Sequence, residues 1–83
     1  MAKAAARMLN GEVREFEVDK NIRPVPGRYV FYQNKIYYAT NSIGVDKEYK
    51  LDMIRGDEKI TVNSEYLKAY ARVVVEHEGI IEL

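Results

Sequence analysis

Two short runs rich in β-branched and aromatic side chains, Arg28-Tyr29-Val30-Phe31-Tyr32 and Lys35-Ile36-Tyr37-Tyr38-Ala39, meet across Gln33-Asn34. Such runs favour strands, and an Asn able to take positive φ suits a two-residue hairpin turn. The spacing pairs Tyr32 with Lys35, Phe31 with Ile36, Val30 with Tyr37, and Tyr29 with Tyr38. Side chains alternate faces along a strand. One face therefore carries Val30, Tyr32, Tyr37 and Ala39, and the other Tyr29, Phe31, Ile36 and Tyr38. A ribbon wetted on one side should alternate apolar with polar; this one is apolar or aromatic on both. The chain has only 83 residues. A domain of that size has room for one core, burying about 60–65% of the surface its unfolded chain exposes.

Two arrangements satisfy such a ribbon. The protein covers the second face itself, by curling a barrel over it or by laying the segment from Ala4 to Leu9 across it. Otherwise the second face is a contact surface for another chain, including a second copy. Tyr and Phe suit interfaces because they offer a large area with few rotatable bonds, and Tyr adds a polar handle. A bare patch of this kind invites aggregation, and a one-residue slip in pairing would exchange the two faces.

The remaining segments read as short strands and turns. Residues 2–9 are Ala-rich and favour a helix stopped by Asn10-Gly11. Asn-Gly is equally a hairpin signal, here pairing Met8 with Val13, and so short a helix is marginal without tertiary support. Phe16 and Val18 alternate with acids. Val13 falls on the other parity, which predicts a bulge or a late start to that strand. Glu12, Glu15, Glu17 and Asp19 form a solvated edge that discourages mispairing. Pro24, Pro26 and Gly27 place residues 19–27 in an extended loop.

A second hairpin follows, turning at Gly56-Asp57. It pairs Met53 with Ile60 and Leu51 with Val62 on an apolar face, and Asp52 with Thr61 and Lys50 with Asn63 on a polar one. Arg55 and Glu58 flank the turn with opposite charges. Asn63-Ser64 reads as a cap before one helical turn through Tyr70. Ala71–Val75, a Glu78-Gly79 turn and Ile80–Leu83 end the chain. About six short strands at close spacing predict a small barrel or sandwich.

The stretch from Gly27 to Val75 resembles the SH3-like small barrels, which run strand, tight turn, strand, variable loop, hairpin, one helical turn and closing strand. The residues carrying the likeness are Gly27-Arg28-Tyr29-Val30-Phe31-Tyr32, Lys35-Ile36-Tyr37, Ile60-Thr61-Val62 and Ser64-Glu65-Tyr66-Leu67. In the proline-peptide-binding members a Ser and a Tyr precede the last strand, where Ser64 and Tyr66 stand. This chain has no Trp and no acidic, aromatic first loop, so that activity is not carried over. Other members bind RNA, DNA, ribosomal partners or phage structural proteins, and a shared fold does not choose among them.

Catalysis finds little to work with. There is no Cys and one His, which removes thiolate chemistry and cysteine-based zinc sites and leaves carboxylates for any metal. That His, His77, sits in Glu76-His77-Glu78-Gly79. Neighbouring residues on a strand point to opposite faces, so the Glu-His step reads as a solvated turn. The serines, Ser42 and Ser64, have no second His to activate either of them. Gly44 and Gly56 are isolated turn glycines rather than a phosphate-cradling loop. No cofactor and no metal are expected.

Thirteen basic and thirteen acidic residues cancel, so no bulk field draws nucleic acid or a membrane. Residues 1–35 carry seven Lys/Arg against four Asp/Glu, and residues 36–83 six against nine. No apolar run reaches transmembrane length, the N-terminal segment is too short and weakly apolar for a signal peptide, and a Cys-free chain fits a cytoplasmic setting.

The expectation is therefore a single domain over 1–83, with 1–11 an arm or hairpin. Its fold is all-β, a small SH3-like barrel of five to seven short antiparallel strands with one helical turn near 64–70. Its expected role is that of a non-catalytic protein-binding module, or a small subunit of a larger assembly such as a viral or prophage one. The partner or a second copy would be met through Tyr29, Phe31, Ile36 and Tyr38. The alternative is a nucleic-acid-binding barrel that stacks bases on the same aromatics, with Arg28 and Lys35 beside them and Arg14, Lys20 and Arg23 nearby.

Overall fold

The computed structural model describes residues 2–75. The expected Glu78-Gly79 turn and the run Ile80–Leu83 lie outside the described residues. Seven strands, β1 (Ala2–Arg7), β2 (Val13–Asp19), β3 (Tyr29–Tyr32), β4 (Lys35–Ile43), β5 (Lys50–Arg55), β6 (Glu58–Asn63) and β7 (Arg72–Val74), form one sheet. A 3-10 turn at Asp46–Glu48 leads into β5, and the helix α1 (Ser64–Tyr70) joins β6 to β7. The fold is all-β, as expected.

The β3–β4 hairpin has the register read from the sequence, Tyr29 with Tyr38 through Tyr32 with Lys35. Gln33 and Asn34 both take positive φ, 53° and 63°. That is the primed turn whose twist matches the strands it joins. The β5–β6 hairpin also pairs as expected, from Lys50 with Asn63 to Arg55 with Glu58. On its polar face the Thr61 hydroxyl donates to the Asp52 carboxylate at 2.8 Å. The helix cap is Asn63, whose side chain accepts the Tyr66 N–H at 3.0 Å. A register shift between Ala39 and Asn41 interrupts the β4–β5 pairing; such irregularities bend a strand and increase its local twist.

The N-terminal hairpin forms, but one residue away from the expected register. Arg7, not Met8, pairs with Val13. The Met8 N–H donates to the Glu12 carbonyl at 2.7 Å and the Gly11 N–H to the Met8 carbonyl at 3.0 Å. The loop is thus Leu9-Asn10-Gly11, with Gly11 at a φ of 87°, a three-residue turn ending in a left-handed glycine. The cause lies in the side chains. Residues directly opposite share a face, and this register sets Ala2 and Ala4 against Val18 and Phe16. The expected pairing would have set Lys3 against Val18. Burial of Phe16, Val18, Ala6 and Met8 on one face decides the turn, and it overrides the helix propensity of the alanines.

Strand order is β1-β2-β7-β3-β4-β5-β6, and the start of β4 also meets the end of β1. That meeting is a single parallel pair, Arg7 with Lys35, in which the Arg7 N–H donates to the Asn34 carbonyl at 2.8 Å. The first five strands in this order therefore come round on themselves. Among the described residues no pairing joins β6 to β7.

The described residues build two apolar clusters, where the chain's length argued for one. The first takes Val30, Tyr32, Tyr37 and Ala39 from one face of the β3–β4 ribbon, packed with Leu51, Met53, Val62 and Leu67. The second takes Ile36 from the opposite face, with Ala6, Met8, Phe16, Val18 and Val74; Tyr29 and Phe31 pack against it. The two-sided ribbon is the wall between them. Full burial of a side chain such as Ile36 is worth about 1.5–3 kcal/mol, so each cluster is small but not negligible.

Candidate partner-binding surface

The four residues expected to meet a partner do not form an open face. Ile36 is wholly buried, while Tyr29, Phe31 and Tyr38 are half-buried. The Tyr29 and Tyr38 rings lie 5.1 Å apart, tilted by 59°. The strands β1 and β2 supply what covers this side, through Ala6, Met8, Phe16 and Val18. Ile36 is thereby removed from the contact set, since a side chain with no exposed surface touches no second molecule, while Tyr29, Phe31 and Tyr38 keep part of their surface.

The cations named for nucleic acid are dispersed. Arg28 is exposed before β3, and Lys35 is half-buried at the start of β4, beyond the opposite end of the ribbon. Arg14 lies over the Phe16 ring, 5.2 Å from its centroid, with Glu12 at 4.0 Å. Arg23 lies over Tyr49, in the first cluster. Among the described residues these cations do not line up beside the expected aromatic face.

An aromatic cleft exists elsewhere, and only one of the expected residues belongs to it. Phe31, Tyr32, Gln33 and Asn34 form one wall, and Tyr66 and Tyr70 of α1 form the other, around about 580 Å³. Tyr66 and Tyr70 are 51% and 62% exposed. Residues four apart lie on one helix face, and their rings stand 6.1 Å apart. Leu67, on another face of the same helix, enters the first cluster. The signal was present in Glu65-Tyr66-Leu67-Lys68-Ala69-Tyr70. Helical spacing separates one apolar residue for the core from two aromatics left outside. The Asn63 cap fixes where that helix begins, and the Ala71 N–H bonded to the Leu67 carbonyl at 3.0 Å fixes its end.

The chemistry of the cleft is that of contact. All six lining residues are uncharged and four are aromatic, which suits large-area packing with hydroxyl and amide groups at hand. Among the described residues a clear perturbation of a titrating group lies elsewhere, at Tyr37. Burial, then the hydrogen bond its hydroxyl donates to Glu58 at 3.1 Å, pushes the phenol up to about 12. A phenol so hard to ionise keeps its proton at neutral pH. Among the described residues no three His, Asp or Glu side chains gather where they could hold a metal. His77 lies outside the described residues. No helix among them is long and apolar enough to cross a membrane. Comparison with protein-family models, curated proteins and solved structures found no match to this chain.

Proposed function

We propose that this chain is a non-catalytic protein-binding module, or a small subunit of a larger assembly, that grips an extended segment of a protein partner in the Phe31–Tyr32–Tyr66–Tyr70 cleft. The observation that carries this is the pair Tyr66 and Tyr70, more than half exposed on a capped helix and facing two further rings across open space. Aromatic-lined grooves accept extended chains because flat rings fit a backbone with little side-chain ordering. The run from β3 to β7 follows the succession strand, tight turn, strand, loop, hairpin, helical turn, strand, which supports an SH3-like barrel for that part of the chain.

Peptide display against the folded protein tests the proposal, with a Tyr66→Ser/Tyr70→Ser double variant as the counter-target. Selected peptides should bind the wild type with saturable shifts of the Gln33, Asn34 and Tyr66 amides, and lose at least about tenfold in affinity on the double variant, as hot-spot aromatics do. Both positions are exposed, so the variant should keep its circular dichroism and melting point. Light scattering after size exclusion reads whether the segment belongs to a second copy. Peptides that bind the double variant equally well would remove the cleft from consideration.

A further inference from the structure

A second cleft, sharing no residue with the aromatic one, lies between the loop at 20–24 and α1 and encloses about 370 Å³. Lys20, Arg23 and Lys68 line it, with Asp46 as the single carboxylate among the described residues. None of these four takes part in an ion pair among the described residues. Arg23 is already held in place. Its guanidinium sits 4.5 Å from the centroid of the Tyr49 ring, and the Tyr49 hydroxyl donates to the Pro24 carbonyl at 2.9 Å. A guanidinium stacked this way loses less freedom when it meets a ligand. Ser64 also lines the cleft, is only 9% exposed, and its hydroxyl has no protein partner among the described residues. That leaves the hydroxyl free to donate to or accept from a ligand.

We propose that this cleft binds a phosphomonoester. Two of its positive charges are left unbalanced by Asp46, and a phosphomonoester carries about −1.5 to −2 at neutral pH. Its three acceptor oxygens match a hydroxyl, a guanidinium and two ammonium groups, where a carboxylate offers less charge and two oxygens. Ile22, Leu67 and Ala71 give the attached organic group an apolar wall. The same chemistry is offered by a small phosphorylated metabolite and by a phosphorylated side chain of a partner chain.

The experiment is a titration of the intact chain at constant ionic strength, followed by amide and arginine side-chain shifts in NMR. The probes are inorganic phosphate, phenyl phosphate, a short phosphoserine peptide, its unphosphorylated twin, and acetate. Saturable shifts at Asn21, Arg23, Ser64 and Lys68 are expected with the three phosphates and not with acetate or the unphosphorylated peptide. Arg23→Gln/Lys68→Gln should weaken phosphate binding at least about tenfold, as loss of charge-assisted bonds does. Ser64→Ala should weaken it less while leaving the aromatic-cleft amides untouched. Tighter binding of phenyl phosphate than of the phosphopeptide supports a metabolite, and the reverse order supports a partner's side chain. No saturation with any phosphate, equal affinity for acetate, or binding unchanged in the double variant would overturn the site. Because Tyr66 and Tyr70 are not part of it, such a failure leaves the aromatic cleft untouched.

Discussion

Replacing Tyr37 by Phe should reverse the stability order of wild type and variant as pH rises, because the wild type alone hides a phenol that resists ionisation. In the folded chain Tyr37 has no exposed surface, and its hydroxyl titrates at about 12 against an ordinary value of 10.0. Below the ordinary value both folded and unfolded states hold the proton, and the native contribution is complete. As pH climbs from 10 towards 12 the unfolded phenol ionises while the folded one does not, so the wild type loses stability across that window. At about 1.4 kcal/mol per pH unit the loss comes to roughly 2–3 kcal/mol. At neutral pH the variant forfeits one hydrogen bond to Glu58, which is exposed and stays hydrated; that costs about 1 kcal/mol. Tyr37→Phe should thus be less stable by about 1 kcal/mol near pH 9 and more stable by about as much near pH 12. Urea unfolding followed by circular dichroism reads both ends. Contributions common to the two proteins cancel in the difference. Parallel profiles for the two proteins across this window would refute the account of Tyr37 as a buried, protonated phenol.

Two further predictions concern the fold. Ile36→Ala should cost about 2–5 kcal/mol, the range for emptying a sealed apolar site; thermal melting checks it, and a loss within about 0.5 kcal/mol, as at a surface position, would mean that β1 and β2 do not seal this face. Asn63→Ala should cost about 1 kcal/mol by freeing the Tyr66 N–H, seen as a lower urea midpoint and faster amide exchange confined to α1.

Both central hairpins could be written down from the sequence to the residue, since the β3–β4 turn needs two positive φ values beside Asn34 and the β5–β6 turn needs one at Gly56. Their pairing is local, and turn chemistry fixes it. The N-terminal register was equally open to deduction, because Phe16 and Val18 share parity with Ala4, Ala6 and Met8. Following the Asn-Gly rule alone gave the wrong partner for Val13. What could not be deduced was long-range: β7 inserted between β2 and β3, and β1 touching β4 at Arg7. Those contacts depend on how several apolar faces stack at once, and no local pattern encodes them. They are also what hides Ile36, the one member of the expected contact face with no exposed surface.

The seven tyrosines divide by what happens at their hydroxyls, and the division singles out the two that packing leaves exposed. Tyr37 and Tyr49 are buried, and each hydroxyl is bonded inside the protein, to Glu58 and to the Pro24 carbonyl. Tyr32 is buried, its ring packed edge-on to Tyr37. Tyr29 packs against the second cluster, and Tyr38 leans on the Tyr29 ring. All five are explained by packing. Tyr66 and Tyr70 are not: they are exposed, belong to neither cluster, and their hydroxyls have no protein partner among the described residues. The exposed part of these rings contributes nothing to folding that a Lys or Gln on the same helix would not supply. An exposed aromatic pair facing two further rings is therefore the surface whose composition the fold does not require, and a docked chain would account for it.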